Sequence, residues 1–421
     1  MLLIWAGYGY SRHRRNQVAL EKLTASREAG LMEPASLHPV IDRALCLGSG
    51  ACVDACPEGQ ILGLLRGKST LVEPTSCIGH GACQQACAHQ AISLVLGTAT
   101  RGVEIPRVNP NFESNVSRLY IAGELGGMGL IRNAIIQGCQ AMDAIAESCR
   151  EGSDEKLDVL IVGAGPAGIA ASLRARELGL RCVTIEQDSL GGTVAHFPRG
   201  KIVMTAPVHL PLFGPVKFRE TTKEELLELW TEVVKKTGVE ICFEEELIAI
   251  ERRDEHFQAI TRSGEYTSRH VLMAIGRRGT PRKLGVPGEE SNKVVYRLAA
   301  PEQYRGQRVL VVGGGDSAIE AALSLAAEAG TETALSYRGS AFSRIKVKNR
   351  ERLEAAVSAA QLQLLLESHV KEIGDNQVIL DTPVGQKELA NDAVIICAGG
   401  LLPTPLLRSA GIEIETHHGE V

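Results

Sequence analysis

The stretch LDVLIVGAGPAG, Leu157–Gly168, runs from apolar residues into three glycines spaced G-x-G-x-x-G. The apolar run Val159–Val162 predicts a strand, and the pattern continuing to Gly179 predicts a helix. Gly163 permits the tight turn, Gly165 lets backbone approach a pyrophosphate, and Gly168 lets helix and strand pack closely. Pro166 and Ala167 open the helix, whose N-terminus offers free N–H groups and a positive dipole end to phosphates. A second strand, Cys182–Ile185, ends in Glu186, a carboxylate placed to accept ribose hydroxyls. The glycine spacing alone is often only a turn. Strand, helix and acid together specify a dinucleotide site.

A second copy of the pattern follows at Val309–Ala327, VLVVGGGDSAIEAALSLAA. Gly313 and Gly315 hold the first two glycine positions, Asp316 and Ser317 open the helix, and Ala318 replaces the third glycine, which still permits close packing. The next strand, Thr333–Ser336, ends in Tyr337-Arg338-Gly339 instead of an acid. An acid there would hold the 2′-hydroxyl of NAD and repel a 2′-phosphate. Arg338, with Arg344 and Lys346 downstream, suits the extra phosphate of NADPH, set against the plainer reading of a solvated basic surface.

The chain has 421 residues, room for two or three domains, with 44 Gly and only 4% aromatics. Its formal net charge is −5 with dispersed Lys and Arg, so no nucleic-acid partner is expected. Eleven cysteines in this length do not make a secreted disulfide scaffold. Six of them fall between Cys46 and Cys87, which reads as metal chemistry in a reducing compartment.

Those six form an internal repeat offset by 31 residues: Cys46-LGSGA-Cys52-VDA-Cys56-Pro57 matches Cys77-IGHGA-Cys83-QQA-Cys87. Between the copies, 59–74 reads as short strands turning at Arg66-Gly67-Lys68. No Cys-x2-Cys pair of the zinc-module kind occurs. The region resembles the bacterial two-cluster ferredoxin, whose pattern C-x2-C-x2-C-x3-C-P sends each fourth cysteine to the other cluster. The resemblance implies that Cys46, Cys52 and Cys87 hold one cluster, and Cys77, Cys83 and Cys56 the other. Each copy departs at its second cysteine, Ser49 in the first and His80 in the second, which leaves three-iron and four-iron clusters both open. His80 can ligate through imidazole, and a neutral ligand in place of thiolate raises the potential.

Leu119-YIAGE, followed by a helical pattern to Ser148, resembles the closing segment of thioredoxin-reductase-like flavoproteins, where a strand ends in Ala-Gly-Asp and a helix points at the flavin. Gly123 and Glu124 are the matching positions, with Glu for Asp. In that family this segment comes last; here it precedes Gly163, so a circular permutation is expected. Gly191 and Gly192 match a glycine pair near the flavin, 273–289 matches the hinge between domains, and 393–399 matches the crossover strand back to the FAD domain. The Cys-x-x-Cys that relays electrons in thioredoxin reductases is missing, and none occurs anywhere in the chain. The phrases Ser336–Lys346 and His196–Arg199 are closer to the bacillithiol-disulfide-reductase branch.

The expected fold is α/β: two Rossmann-like FAD and NAD(P) domains of thioredoxin-reductase type after a small α+β ferredoxin-like domain. The expected boundaries are 1–39 for an N-terminal tip, helix and linker, and 40–98 for the ferredoxin-like domain. The FAD domain is expected over 99–294 (the permuted 99–150 plus 157–294), completed by 396–421, and the NAD(P) domain over 295–395. Met1–Tyr10 is apolar and followed by basic Ser11–Arg15, too short to span a bilayer, which needs about 20 residues. It reads either as a membrane-proximal anchor of a cytoplasmic protein or as a packed terminus. A polar helix is expected over 16–29.

The function expected is electron transfer between NADPH, FAD and two iron–sulfur clusters, with an electron carrier or membrane partner and, by resemblance, a homodimer. No acid–base residue is assigned, because the cofactors carry the chemistry. Two alternatives stand beside it: a reductase of a low-molecular-weight disulfide with structural clusters, and a non-enzymatic redox sensor.

Overall fold

The computed structural model describes residues 2–34, 37–100, 102–127, 129–149, 156–197, 202–204, 207–218, 220–277, 281–342, 345–401 and 403–419. The chain divides into two units, one of Met1–Val103, Lys283–Ala398 and His417–Val421, the other of Glu104–Arg282 and Gly399–Thr416.

The second unit is built on a seven-stranded sheet. Leu157–Val162 lies between Cys182–Ile185 and Glu265–Met273, parallel to both. The first half of Glu265–Met273 pairs antiparallel with His256–Thr261, and its last residues pair in parallel with Leu119–Ile121. The strand that comes before the glycine turn in sequence thus sits two places away from it in the sheet, with Leu119 opposite Val271. Leu119 and Ile121 are fully buried because both faces of this parallel region are covered.

The helix Ile131–Ser148 covers one face and packs against Pro166–Glu177. Their close approach depends on Gly138, where a Cβ would come within 2.2 Å of the Ala167 carbonyl oxygen. After Gly399 the chain returns and lies along the start of the permuted segment. Asn115 Nδ2 donates to the Gly411 carbonyl at 2.8 Å, and Asn115 Oδ1 accepts the Glu413 N–H at 2.8 Å.

In the first unit, residues 38–95 form a small α+β module. His38–Ile41 pairs antiparallel with Ile92–Val95, and Leu62–Leu65 forms a hairpin with Lys68–Leu71. Two four-residue helices, Ala51–Asp54 and Ala82–Gln85, follow left-handed glycines, Gly50 at φ 84° and Gly81 at φ 80°, so the repeat in sequence is a repeat in backbone. The N-terminal segment differs from expectation. Instead of an apolar tip and a separate polar helix, Leu2–Glu28 is one helix, because Arg, Leu, Ala and Glu propagate it through Ser11–Arg15 without a break. Ala19 and Leu23 bury against the hairpin, where Gly63 leaves no room for a side chain. No helix among the described residues is long and apolar enough to cross a membrane.

The same unit contains a five-stranded parallel sheet in the order Val294–Val295, Ala393–Ile396, Arg308–Val312, Glu332–Ser336, Leu362–Leu365. Ala393–Ile396 is therefore an interior strand of this sheet, and the chain passes to the other unit only after it, at Gly399. Its four residues are all buried, which only a central position provides.

Candidate functional site

The six clustered cysteines meet in two cavities. Cys56, Cys77 and Cys83 line one, together with His80 and Glu58. Cys46, Cys52 and Cys87 line the other, together with Ser49, Ser69 and His89. The last cysteine of each repeat thus reaches the cavity of the other. Backbone N–H groups of Ser69 and Ala91 donate to Cys46 Sγ and Cys87 Sγ, each at 3.4 Å. Hydrogen bonds to a sulfur of this kind tune the potential of a cluster that the sulfur ligates. Burial pushes the Cys77 thiol up to about 11, so a bare thiolate is costly there and a cationic centre is the partner that offsets it. Among the described residues, no three His, Cys, Asp or Glu side chains are gathered to hold a single ion.

Ser49 and His80 also do structural work. Ser49 Oγ accepts the Ala51 N–H at 3.5 Å, and His80 Nδ1 accepts the Ala82 N–H at 3.1 Å. Each side chain therefore serves the start of its short helix, and His80 leaves only Nε2 for a metal. Glu58 and His89, two residues beyond Cys56 and Cys87, were missed by sequence reasoning. They occupy equivalent places in the repeats, and that shared offset was the available signal.

The flavin-type site is a glycine cradle. Gly163 has φ 105°, and a Cβ there would meet the Ala274 carbonyl oxygen at 2.6 Å. A Cβ on Gly168 would lie 1.8 Å from the Gly163 oxygen, and one on Gly192 would lie 3.0 Å from Gly165 Cα. Gly165 itself faces open space apart from Gly192, and the Gly191 N–H donates to the Ala164 carbonyl at 2.9 Å. Pro166 and Ala167 begin the helix. Glu186 is buried, and its two oxygens accept the Ala164 N–H at 2.7 Å and the Asp188 N–H at 3.0 Å. Desolvation raises its carboxyl above the ordinary range against those bonds. Its first task is to hold the glycine turn, a role not read from the sequence.

Gly123 lies beside Ala167 at φ 84°, and its N–H donates to Gln137 Oε1 at 2.9 Å, so that donor is already engaged. Gly129 sits 3.7 Å, from its ideal Cβ, to Glu124 Oε1. Arg277, also absent from the sequence reading, donates to the Glu104 carbonyl at 3.0 Å, and burial lowers its pKa against the attraction of Glu124.

In the second fingerprint a Cβ on Gly313 would lie 2.3 Å from the Cys397 carbonyl oxygen, while Gly315 faces open space. Asp316 Oδ1 accepts the Lys346 N–H at 2.9 Å and Asn349 Nδ2 at 2.7 Å, tying the turn to the following helix. Ser317 lies in the first turn of Asp316–Ala326. The Tyr337 ring covers Gly314 and stacks on Phe342 with centroids 4.9 Å apart. Arg338 is exposed beside it, and Arg344 lies outside the described residues.

The pyridine nucleotide-disulphide oxidoreductase family matches residues 160–420, and a 4Fe-4S dicluster domain matches residues 38–88. The chain belongs to the pyridine nucleotide-disulphide oxidoreductase family. It is a flavoprotein oxidoreductase of that family, preceded by an iron–sulfur region of ferredoxin type. A ferredoxin–NADP reductase of Thermus thermophilus is 31% identical over 271 residues, 61% of this chain and 77% of the relative. One from Ignicoccus hospitalis is 31% identical over 217 residues, 51% of this chain and 66% of the relative. The solved bacillithiol disulfide reductase of Staphylococcus aureus aligns with a TM-score of 0.56 at 25% identity, covering 62% of this chain and 82% of that one.

Proposed function

We propose that the chain transfers electrons between NADPH, FAD and two iron–sulfur clusters, and through them to a separate electron-carrier protein. The observation that carries this reading is the pair of cavities, each ringed by three thiols drawn from both repeats. FAD, when bound, supplies the exchange between a two-electron donor and one-electron carriers.

The chain's own residues bind and orient. Gly163, Gly165, Pro166, Ala167 and Gly168 would accept the flavin nucleotide's pyrophosphate, with the N-terminus of Pro166–Glu177 facing its charge. Gly191 and Gly192 leave the cradle open on one side. Glu186 keeps lone pairs for a ribose after bonding two backbone N–H groups. Gly123, Glu124 and the helix after Leu130 would close the flavin site, with the dipole of that helix opposing negative charge. Gly313, Gly315, Asp316 and Ser317 would seat the nicotinamide nucleotide, and Arg338 and Arg344 its 2′-phosphate. Cys46, Cys52 and Cys87 would hold one cluster, and Cys56, Cys77 and Cys83 the other, with His80 a further ligand through Nε2.

Anaerobic titration with NADPH, followed by visible and EPR spectra, tests the reading. Flavin bleaching together with reduced-cluster signals is expected; bleached flavin with clusters still oxidised defeats it. A second reading, reduction of a low-molecular-weight disulfide, draws on the relatives named bacillithiol disulfide reductase and bacilliredoxin reductase. It requires disulfide turnover that survives loss of iron.

A further inference from the structure

We propose that the mouth of the cavity formed by Cys46, Cys52 and Cys87 is the docking surface for a small, acidic electron-carrier protein. The proposal deepens the reading above by naming the partner's chemistry and its place of contact. Four observations support it.

The first is exposed apolar surface at a cluster ligand. Leu45 and Leu47, on either side of Cys46, are 51% and 68% exposed. Two large apolar side chains held in water beside a buried thiol offer a partner a dry contact next to a proposed cluster ligand.

The second is a collar of cations around them. Lys68 Nζ donates to the Cys46 carbonyl at 2.6 Å. A methyl group on Gly67 would lie 2.6 Å from Arg12 Nη2, and one on Gly50 would lie 3.9 Å from Arg15 Nη1. Gly48 and Gly50 line this cavity, and the Gly67 carbonyl lies directly against Gly48. Arg43 and Arg66 are exposed on the same loops.

The third is that the collar is built and held. Arg12 and Arg15 reach the rim because the helix Leu2–Glu28 is fastened to the hairpin. Asn16 Oδ1 accepts the Arg66 N–H at 2.8 Å, Ala19 seats on Gly63, and Lys22 pairs with Glu73 at 2.6 Å. The fourth is asymmetry between two otherwise repeated sites. The two linings differ at the repeat-equivalent positions 58 and 89, so the carboxylate of Glu58 stands in the Cys56, Cys77 and Cys83 cavity and the imidazole of His89 in the other. Local positive charge on a chain of net −5 is a steering device for an acidic partner, and charge of this kind acts mainly on association rate and specificity.

The test uses the full-length holoprotein and, as probe, a strongly acidic soluble ferredoxin. Both proteins are kept oxidised and without NADPH, so the result stands apart from the direction of electron flow. Affinity is measured by calorimetry over a range of ionic strength. The wild type is expected to bind with a steep loss of affinity as salt rises. The double variant Arg12→Glu/Arg15→Glu should weaken binding ~10-fold or more and flatten the salt dependence, and Arg12→Gln/Arg15→Gln should fall between. Leu47→Ser should weaken binding with the salt slope unchanged. Iron content, cluster EPR and NADPH oxidation by a neutral quinone should match wild type in all of them. Unaltered affinity in the charge variants overturns the proposal. So does a result in which they lose binding to anionic phospholipid vesicles while ferredoxin binding persists, since the collar is then a membrane contact. Clusters that stay oxidised with NADPH, alongside intact ferredoxin binding, would defeat the electron-transfer reading and leave the docking surface standing.

Discussion

His80 Nδ1 accepts the backbone N–H of Ala82 at 3.1 Å, in the place where a two-cluster ferredoxin has its second cysteine. A neutral imidazole that accepts at Nδ1 carries its proton at Nε2. Iron at Nε2 must therefore displace that proton or free the Ala82 N–H.

A thiolate at this position has neither obstacle. His80→Cys is expected to supply a fourth sulfur to the Cys56, Cys77 and Cys83 site, lowering the cluster's potential and changing its EPR signature. Potentiometric titration monitored by EPR reads both. Identical potential and spectrum would mean that position 80 does not reach the cluster, and would move attention to Glu58.

Gly138 admits no side chain against the Ala167 carbonyl. Gly138→Ala should destabilise the flavin-type unit by about 1–3 kcal/mol, the usual cost of overpacking. Gly126, where an added Cβ would meet nothing within 4 Å, is the control, and Gly126→Ala should be close to neutral. Thermal unfolding and the fraction of FAD retained after gel filtration measure the two. Equal behaviour of both variants would mean that the helices do not need this close approach.

His270 gives the unit a pH dependence. Its ring is 2% exposed, with Nδ1 3.0 Å from the Asp158 carbonyl and Nε2 3.0 Å from Ser148 Oγ. Burial is the main cause holding its pKa below the usual value, and Arg118 and Arg269 act in the same direction. The folded state thus binds its proton less readily than the unfolded chain. The stability this provides is complete above about pH 6.5 and is lost as pH falls through the lowered folded value. Denaturant unfolding from neutral to mildly acid pH should show the loss, and His270→Asn should flatten it over that window. An unchanged slope in the variant would assign the acid sensitivity elsewhere.

Nucleotide choice is expected to rest on Arg338. Arg338→Ala should raise the KM for NADPH ~10-fold, the loss of one charge-assisted contact, with kcat retained and NADH kinetics unaltered. Steady-state kinetics with both nucleotides decide it. A parallel loss for NADPH and NADH would place Arg338 outside the 2′-phosphate site.

Both glycine turns were legible because their spacing encodes backbone that only glycine adopts without strain, as Gly163 and Gly313 show. The cysteine repeat was legible for a similar reason: a fixed offset carries a fixed local fold, down to Gly50 and Gly81. What stayed hidden was set by long-range packing. Nothing local tells that Leu2–Glu28 lodges on the hairpin, that Gln137 takes the Gly123 N–H, or that Tyr337 lies over Gly314. Arg277 was passed over because nothing in the run 273–289 marks it apart from its neighbour Arg278.

The pairing of Leu119 with Val271 also governs the order of events at the ribosome. The buried strand Leu119–Ile121 emerges about 150 residues before its partner, roughly 8 to 30 s at ordinary rates of synthesis. For that interval a fully apolar edge has no sheet to join, and the nascent chain carries it in search of cover. The iron–sulfur module completes its own strands first, so it is synthesised and closed while the flavin-type sheet still waits for its middle.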